Sequence, residues 1–481
     1  MPRTISSRAL AVRLAAALAA IPALWACTAH NLVAPSERPH SVQNKTFPVG
    51  QNRDLDLLFM IDNSPSMKGL QAKLAQRMPD FMEVLKDLPG GLPNLHVAVI
   101  SSALGTGAVT GVPLGCFPGS PGDDDGSFQH ASTCTALGAG QTFIKAAPGA
   151  NNFTGDIADV FRCIAQLGDK GCGIEQPFQA MRRALERAQN PNDLENSGFL
   201  RPEAILGIIM LTNEDDCSIP YESTLMDSNQ RALQDELGGL DNYRCNEFGH
   251  LCGGQRPPHS VTQPTTLQDC VPAEDKGRLV PVNEFVKFVQ GLKPNAPERL
   301  FVAALAGIPD SYVVEPVPQL LPNGITELQP AVRHSCIAPN SNEMDFADPG
   351  VRIASWVNAF PASNAKLASI CEQDFKPAME DIARTLRDAL VRPPCLEHPV
   401  ALTNDGHPNC QVALSAGAGK PFDRLVTECA TGGATFPCWR LDEVAACASG
   451  PRLSVCWDAA CDPTKAPASM ERAQGSCAVG P

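Results

Sequence analysis

Residues Leu57–Met67 read LLFMIDNSPSM. Five apolar side chains in succession end at Asp62, and Ser64 and Ser66 follow with Pro65 between them. An apolar run without polar alternation predicts a strand buried on both faces, here Leu55–Ile61, as in a parallel sheet covered by helices. Ligands in open α/β sheets gather at the carboxyl ends of strands, which is where Asp62 falls. One carboxylate and two hydroxyls there make an oxygen-only set, the chemistry a hard Mg2+ ion prefers. A plainer reading stands beside it: Ser64 caps a helix with Pro65 at its first position, and Asp62 braces the turn.

Outward from this stretch, strands and helices alternate. Leu95–Ser101, Ala204–Thr212 and Leu300–Ala306 read as three more apolar strands. Helical spacing marks Lys68–Leu85, Asp156–Gln166, Glu175–Ala188, Val282–Leu292, Trp356–Phe360 and Pro377–Leu390. Pro79 is expected to kink or end the first of these. The alternation predicts an α/β fold: a doubly wound, mostly parallel sheet with helices on both faces. Gly-, Pro- and Cys-rich insertions interrupt it at about 113–155, 217–280 and 308–348. From Cys395 onward the pattern changes to a small Cys-rich C-terminal module. Cys429, Cys438, Cys447 and Cys456 stand nine apart there, which two copies leave as coincidence rather than repeat.

The stretch DLLFMIDNSPSM (Asp56–Met67) resembles the first motif of the metal-ion-dependent adhesion site of von Willebrand factor A domains, Asp-x-Ser-x-Ser after a hydrophobic strand. AILGIIMLTNEDDCS (Ala204–Ser218) is similar to that family's later strand, and GLKPNAPERLFVAALAG (Gly291–Gly307) to the helix and strand that follow. GCGIEQPFQAMRRAL (Gly171–Leu185) is similar to its central loop and helix, and the resemblance spans residues 54–393. It implies a metal set of Asp62, Ser64, Ser66, Asn213 and Asp215, holding Mg2+ (or Mn2+ or Ca2+). It implies as partner another protein or surface macromolecule that offers a carboxylate. Two departures stand out. The central loop LGDKGCGIE lacks the family's Thr, leaving Asp169 or Glu175 as substitutes, and Asn213 occupies the position of an Asp.

The N-terminus predicts export. Arg3, Arg8 and Arg13 precede the short apolar run Leu14–Ala26, too short to span a bilayer. Cys27 after Leu24-Trp25-Ala26 resembles the lipidated Cys of bacterial lipoproteins, and Thr28 after it points to the outer membrane. The expected organisation is a signal peptide at 1–26, a lipid-anchored tether at 27–53, the A-type domain at 54–393 and the Cys-rich module at 394–481. The membrane is met through the lipid alone.

The net charge of −14, more negative once residues 1–26 are removed, excludes nucleic acid as a partner of the bulk field. Nineteen Cys less Cys27 leave an even number, read as nine disulfides of an oxidising compartment. Asp54 and Asp56 precede their strand rather than follow it, which argues against a phosphatase pair. GDDDG (Gly122–Gly126) lacks EF-hand spacing and reads as a surface turn. Gly-x-Ser-x-Gly, phosphate-loop and His-Glu-x-x-His motifs are absent, so no enzyme is expected. The alternative to metal-dependent adhesion is a structural envelope protein with a degenerate metal site.

Overall fold

The computed structural model describes residues 41–48, 54–88, 91–106, 116, 123–130, 134–147, 149–294, 296–339, 345–390, 395–415, 421–429, 435–444, 447, 450–461, 465 and 472–480. The export signal and Cys27 lie outside them. The fold is mixed α/β, with several sheets and seven α-helices among the described residues. The central sheet contains β2 (Asp54–Ile61), β3 (Asn94–Ser101), β4 (Ile144–Ala146), β5 (Ile205–Leu211), β9 (Leu300–Ala306) and β14 (Ala365–Ser369). Their order is β14-β9-β5-β2-β3-β4. Five strands run parallel and β4 is antiparallel to β3.

The unbroken apolar runs of β2, β5 and β9 are explained by burial on both faces. Leu55, Leu57, Phe59 and Ile61 pack on one side with α1 (Lys68–Lys86), α2 (Ile157–Ala165) and α7 (Lys376–Leu390). Leu58 and Met60 pack on the other with α3 (Pro177–Gln189), α5 (Val282–Leu292) and α6 (Val351–Asn358). Of the two outcomes expected at Pro79, the helix does not end there: α1 continues to Lys86. An interior Pro costs a helix about 3 kcal/mol. Met78, Phe81, Met82 and Leu85 are fully buried around it, and each such side chain returns ~1.5–3 kcal/mol, so packing carries the helix through.

The insertions are ordered by short elements and disulfides. One holds α4 (Tyr243–Gly249), β6 (His250–Cys252), β7 (Thr265–Leu267) and β8 (Cys270–Pro272). The next holds β10 (Tyr312–Leu320), β11 (Thr326–Val332), β12 (Cys336–Ile337) and β13 (Phe346–Ala347). β7 joins the β10–β11 hairpin in a three-stranded sheet, so the two insertions are stitched together.

Nine disulfides link the described Cys residues, and none crosses from the first ten Cys to the last eight. This fits the oxidising compartment inferred from the composition. Cys429 pairs with Cys438, Cys447 with Cys395 and Cys456 with Cys461, so the spacing of nine reflects no repeated bridge. No described helix is long and apolar enough to cross a membrane.

The stretch read as a tether needs correction. Val42–Pro48 forms β1, which pairs antiparallel with β19 (Arg472–Ala478). It edges a second six-stranded sheet with β15 (Cys410–Ser415), β16 (Arg424–Glu428), β17 (Cys438–Asp442) and β18 (Arg452–Cys456). Phe47 supplies the anchor, packed with Val412, Leu414, Trp439 and Leu453. The C-terminal sheet therefore takes a strand from the other end of the chain.

Candidate metal-binding site

The carboxyl ends of β2 and β5 lie side by side, with Ile61 opposite Leu211. Asp62 continues that register: its N–H donates to the Leu211 carbonyl at 2.9 Å. The Asp62 side chain is fully buried. Its Oδ1 accepts from the Ser64 backbone N–H at 2.8 Å and the Ser102 hydroxyl at 3.2 Å, and its Oδ2 accepts from the Thr212 hydroxyl at 3.0 Å. Burial raises its pKa, and these hydrogen bonds oppose the rise.

Ser64 begins the short 3-10 turn Pro65–Met67, yet its side chain does not cap it. Its Oγ instead lies 3.3 Å from the Ser66 Oγ, and Ser66 donates to the Asn213 Oδ1 at 3.2 Å. The capping role of the plainer reading is thus absent, while Asp62 does brace the turn. Gln71 ties the turn to the central loop, donating to the carbonyls of Asp62 at 2.8 Å and Gly168 at 2.9 Å. Gly171 completes the approach, because a Cβ there would sit 2.0 Å from the Asn63 Oδ1. The Cys116–Cys172 bridge holds the loop beside it.

Of the two candidates left open for that loop, the structure brings in Glu175. Asp169 is half-buried and pairs with Lys68 at 3.6 Å. Glu175 is 1% exposed, and its Oε1 has no hydrogen-bond partner. Burial pushes its pKa well up, with the charges of Glu214 and Asp62 adding to the rise. Glu214 is pushed up to about 8 by burial, with the Asp348 and Asp62 charges adding. Among the described residues no Lys or Arg forms an ion pair with Asp62, Glu175 or Glu214.

Asn213 lies at the site, fully buried, with its Nδ2 unpartnered. Asp215 does not face it. Its carboxylate accepts from the N–H groups of Arg352 at 2.9 Å and Ile353 at 3.1 Å, in the first turn of α6, and from His250 Nε2 at 2.8 Å. Asp216 is fully buried and held by the Arg352 guanidinium at 2.9 Å. The acidic turn is therefore not a solvated one. In GDDDG, Asp124 accepts from the Ser101 hydroxyl and Asp125 forms a two-pronged pair with Arg183 at 2.7 and 2.9 Å, so that turn is engaged by protein groups.

Sequence reasoning missed Ser102, Asn242 and the inward role of Glu214. Ser102 carried a signal, since it directly follows the next strand of the same edge. Asn242 carried none, because it arrives from an insertion.

Neighbouring ligand oxygens of an octahedral ion at 2.0–2.1 Å stand about 2.9 Å apart. The 3.3 and 3.2 Å separations among Ser64, Ser66 and Asn213 are close to that edge, and the donor set is wholly oxygen. The residues therefore fit a hard dication. Among the described residues no three His, Cys, Asp or Glu side chains converge on one ion position, so such a site depends on hydroxyl and amide oxygens.

No family model matches the chain, and no curated protein matches it in sequence. Among solved structures it is similar to the human COPII-coat protein Sec24c, at 10% identity and a TM-score of 0.28, over 94% of this chain and 43% of that one. It is also similar to the pilus adhesin RrgA from Streptococcus pneumoniae, at 12% identity and a TM-score of 0.22, over 91% of this chain and 58% of that one. The chain thus spans less than two thirds of either neighbour's length, and TM-scores this low carry no argument about fold or function.

Proposed function

We propose that this is an exported, lipid-anchored cell-envelope protein of the von Willebrand factor A type, which binds another protein through a divalent cation. One observation carries the reading: Asp62, Ser64, Ser66 and Asn213 gather oxygen atoms at the carboxyl edge of a parallel sheet, with unpaired carboxylates behind them. Asp62 fixes the turn and supplies charge, and Ser64, Ser66 and Asn213 supply neutral oxygens. A Mg2+ ion held there supplies a positive centre for an acidic oxygen of the partner. Ser66 is the most exposed of the four and marks the side from which a partner approaches. No bond-making chemistry is assigned to the site.

Asn213 in place of an acid and the engagement of Asp215 by α6 and His250 favour a second reading, a structural envelope protein whose metal site is degenerate. Capture from envelope extract in Mg2+ against EDTA separates the two, with wild type beside Asp62→Ala and Ser66→Ala. Metal-dependent binding predicts capture by wild type in Mg2+ alone. Equal capture in every lane leaves only the scaffold.

A further inference from the structure

Glu175 and Glu214 come from different loops and both reach the side-chain amide of Asn242. Between them lies the amide of Asn242, whose Nδ2 is 3.3 Å from Glu175 Oε2 and also contacts Glu214 Oε2. Two oxygens of this group are buried without a partner, Glu175 Oε1 and Asn242 Oδ1. Beside Glu214 and Asn242, on the side away from Glu175, is a void of about 10 Å3, lined also by Asp215, Asn246, His250 and Asp348. That is room for one water-sized particle. The buried Glu175 and the half-buried Glu214 have a neutral amide as their shared donor and no cation, and the amide presents its own unused oxygen after a half-turn of its last bond.

We infer that Glu175, Glu214 and Asn242 form a second cation site, suited to calcium, that clamps the 217–280 insertion onto the carboxyl edge of the central sheet. Calcium accepts six to eight oxygens in irregular arrangements, including two from one carboxylate, and so tolerates ligands drawn from three separate loops. Asn242 directly precedes α4, and Cys245 in that helix is bridged to Cys217 just after Glu214. An ion gripping Asn242 therefore holds the insertion at the point where the disulfide already limits its travel. The site borders the proposed adhesion site and shares its buried carboxylates but uses neither Ser64 nor Ser66, so substituting a hydroxyl tells the two apart.

Calcium titration of the full chain by calorimetry tests this, with Ser66→Ala, Glu214→Gln and Asn242→Ala beside wild type. The expected result is a calcium-binding event that survives Ser66→Ala and weakens by about tenfold or more in Glu214→Gln and Asn242→Ala. A far-UV circular dichroism spectrum and a cooperative melt like those of wild type show that Glu214→Gln is folded. Absence of calcium binding overturns the inference, as does binding that both variants leave unchanged. Loss in Ser66→Ala to the same degree also overturns it, by showing a single shared ion. Magnesium-dependent capture is scored separately and loses its support only through Asp62→Ala and Ser66→Ala.

Discussion

The two edges of the central sheet bury carboxylates to the same depth and treat them in opposite ways. At the amino edge, Asp56 is fully buried and meets the Arg201 backbone N–H at 2.7 Å and its Nε at 2.8 Å. Arg201 also reaches Asp54 at 3.2 Å and the carbonyls of Leu55 and Asn94. Around it Glu203 takes Arg299 and Arg472, and Glu298 takes Lys45. At the carboxyl edge Asp62 and Glu175 are as deeply buried, and hydroxyls, amides and each other are their neighbours. Burying an ionised carboxylate without a partner costs several kcal/mol. At the carboxyl edge Arg352 is spent on Asp216, and among the described residues Asp62, Glu175 and Glu214 have no Lys or Arg partner. The amino edge, which carries the partners of Lys45 of β1 and Arg472 of β19, fastens the C-terminal sheet, and the carboxyl edge is the one where the proposed binding takes place.

The largest expected effect lies at the amino edge. Arg201→Ala leaves Asp56 buried without its partner and should cost about 3–5 kcal/mol, read as a lower urea midpoint. Pairing it with Asp56→Asn should recover much of that loss. A cost below about 1 kcal/mol for Arg201→Ala, the level of an exposed ion pair, would break the comparison, because the two edges would then be equally indifferent to pairing.

Next come opposed pH dependences. Glu214 is pushed up to about 8 from an ordinary 4.5. Between those values the folded chain keeps a proton that the unfolded chain has released, so this group makes stability fall as pH rises from about 5 to 8. His96, at the amino edge, is pushed down to about 4 by burial, with the Arg201 charge adding. Between 6.5 and 4 the unfolded chain takes up the proton first, so this group makes stability fall on acidification. Melting temperatures across pH in EDTA should show Glu214→Gln flattening the alkaline limb and His96→Gln the acid limb. Either substitution acting on the other limb would contradict the assignment.

Much of this architecture was legible because it is local. Val282–Leu292 and Leu300–Ala306 have the same bounds in pattern and in structure, since the helix repeats one apolar face and the strand is apolar throughout because both its faces are covered. Asp62, Ser64 and Ser66 were visible because one short turn holds them all. Glu175 remained one of two options, as a loop's sequence does not say which of its acids turns inward. Asp215 was misassigned for a related reason: neighbours in a turn diverge, and after β5 Glu214 points in while Asp215 is taken by the first N–H groups of α6. Asn242 was hidden altogether, because only the tertiary fold brings its insertion over the edge. β1 escaped notice because an edge strand with one covered face needs few apolar residues, and VQNKTFP has little beyond Phe47 and Val42.

The smallest effect sharpens the comparison from the same edge. Glu203 receives Arg299 Nη1 and Arg472 Nη2, each at 2.6 Å, and so joins the two six-stranded sheets. It is 38% exposed. Water screens such a carboxylate whether or not its partners are present, and exposed pairs contribute ~0–1 kcal/mol. Glu203→Ala should therefore lower the urea midpoint by less than about 1 kcal/mol equivalent, although it removes two ion pairs where Arg201→Ala strands one carboxylate. If burial decides the value of a charge here, Arg201→Ala far exceeds Glu203→Ala. If the count of ion pairs decides it, the order reverses, and the missing cations at the carboxyl edge lose their meaning as the sign of a ligand.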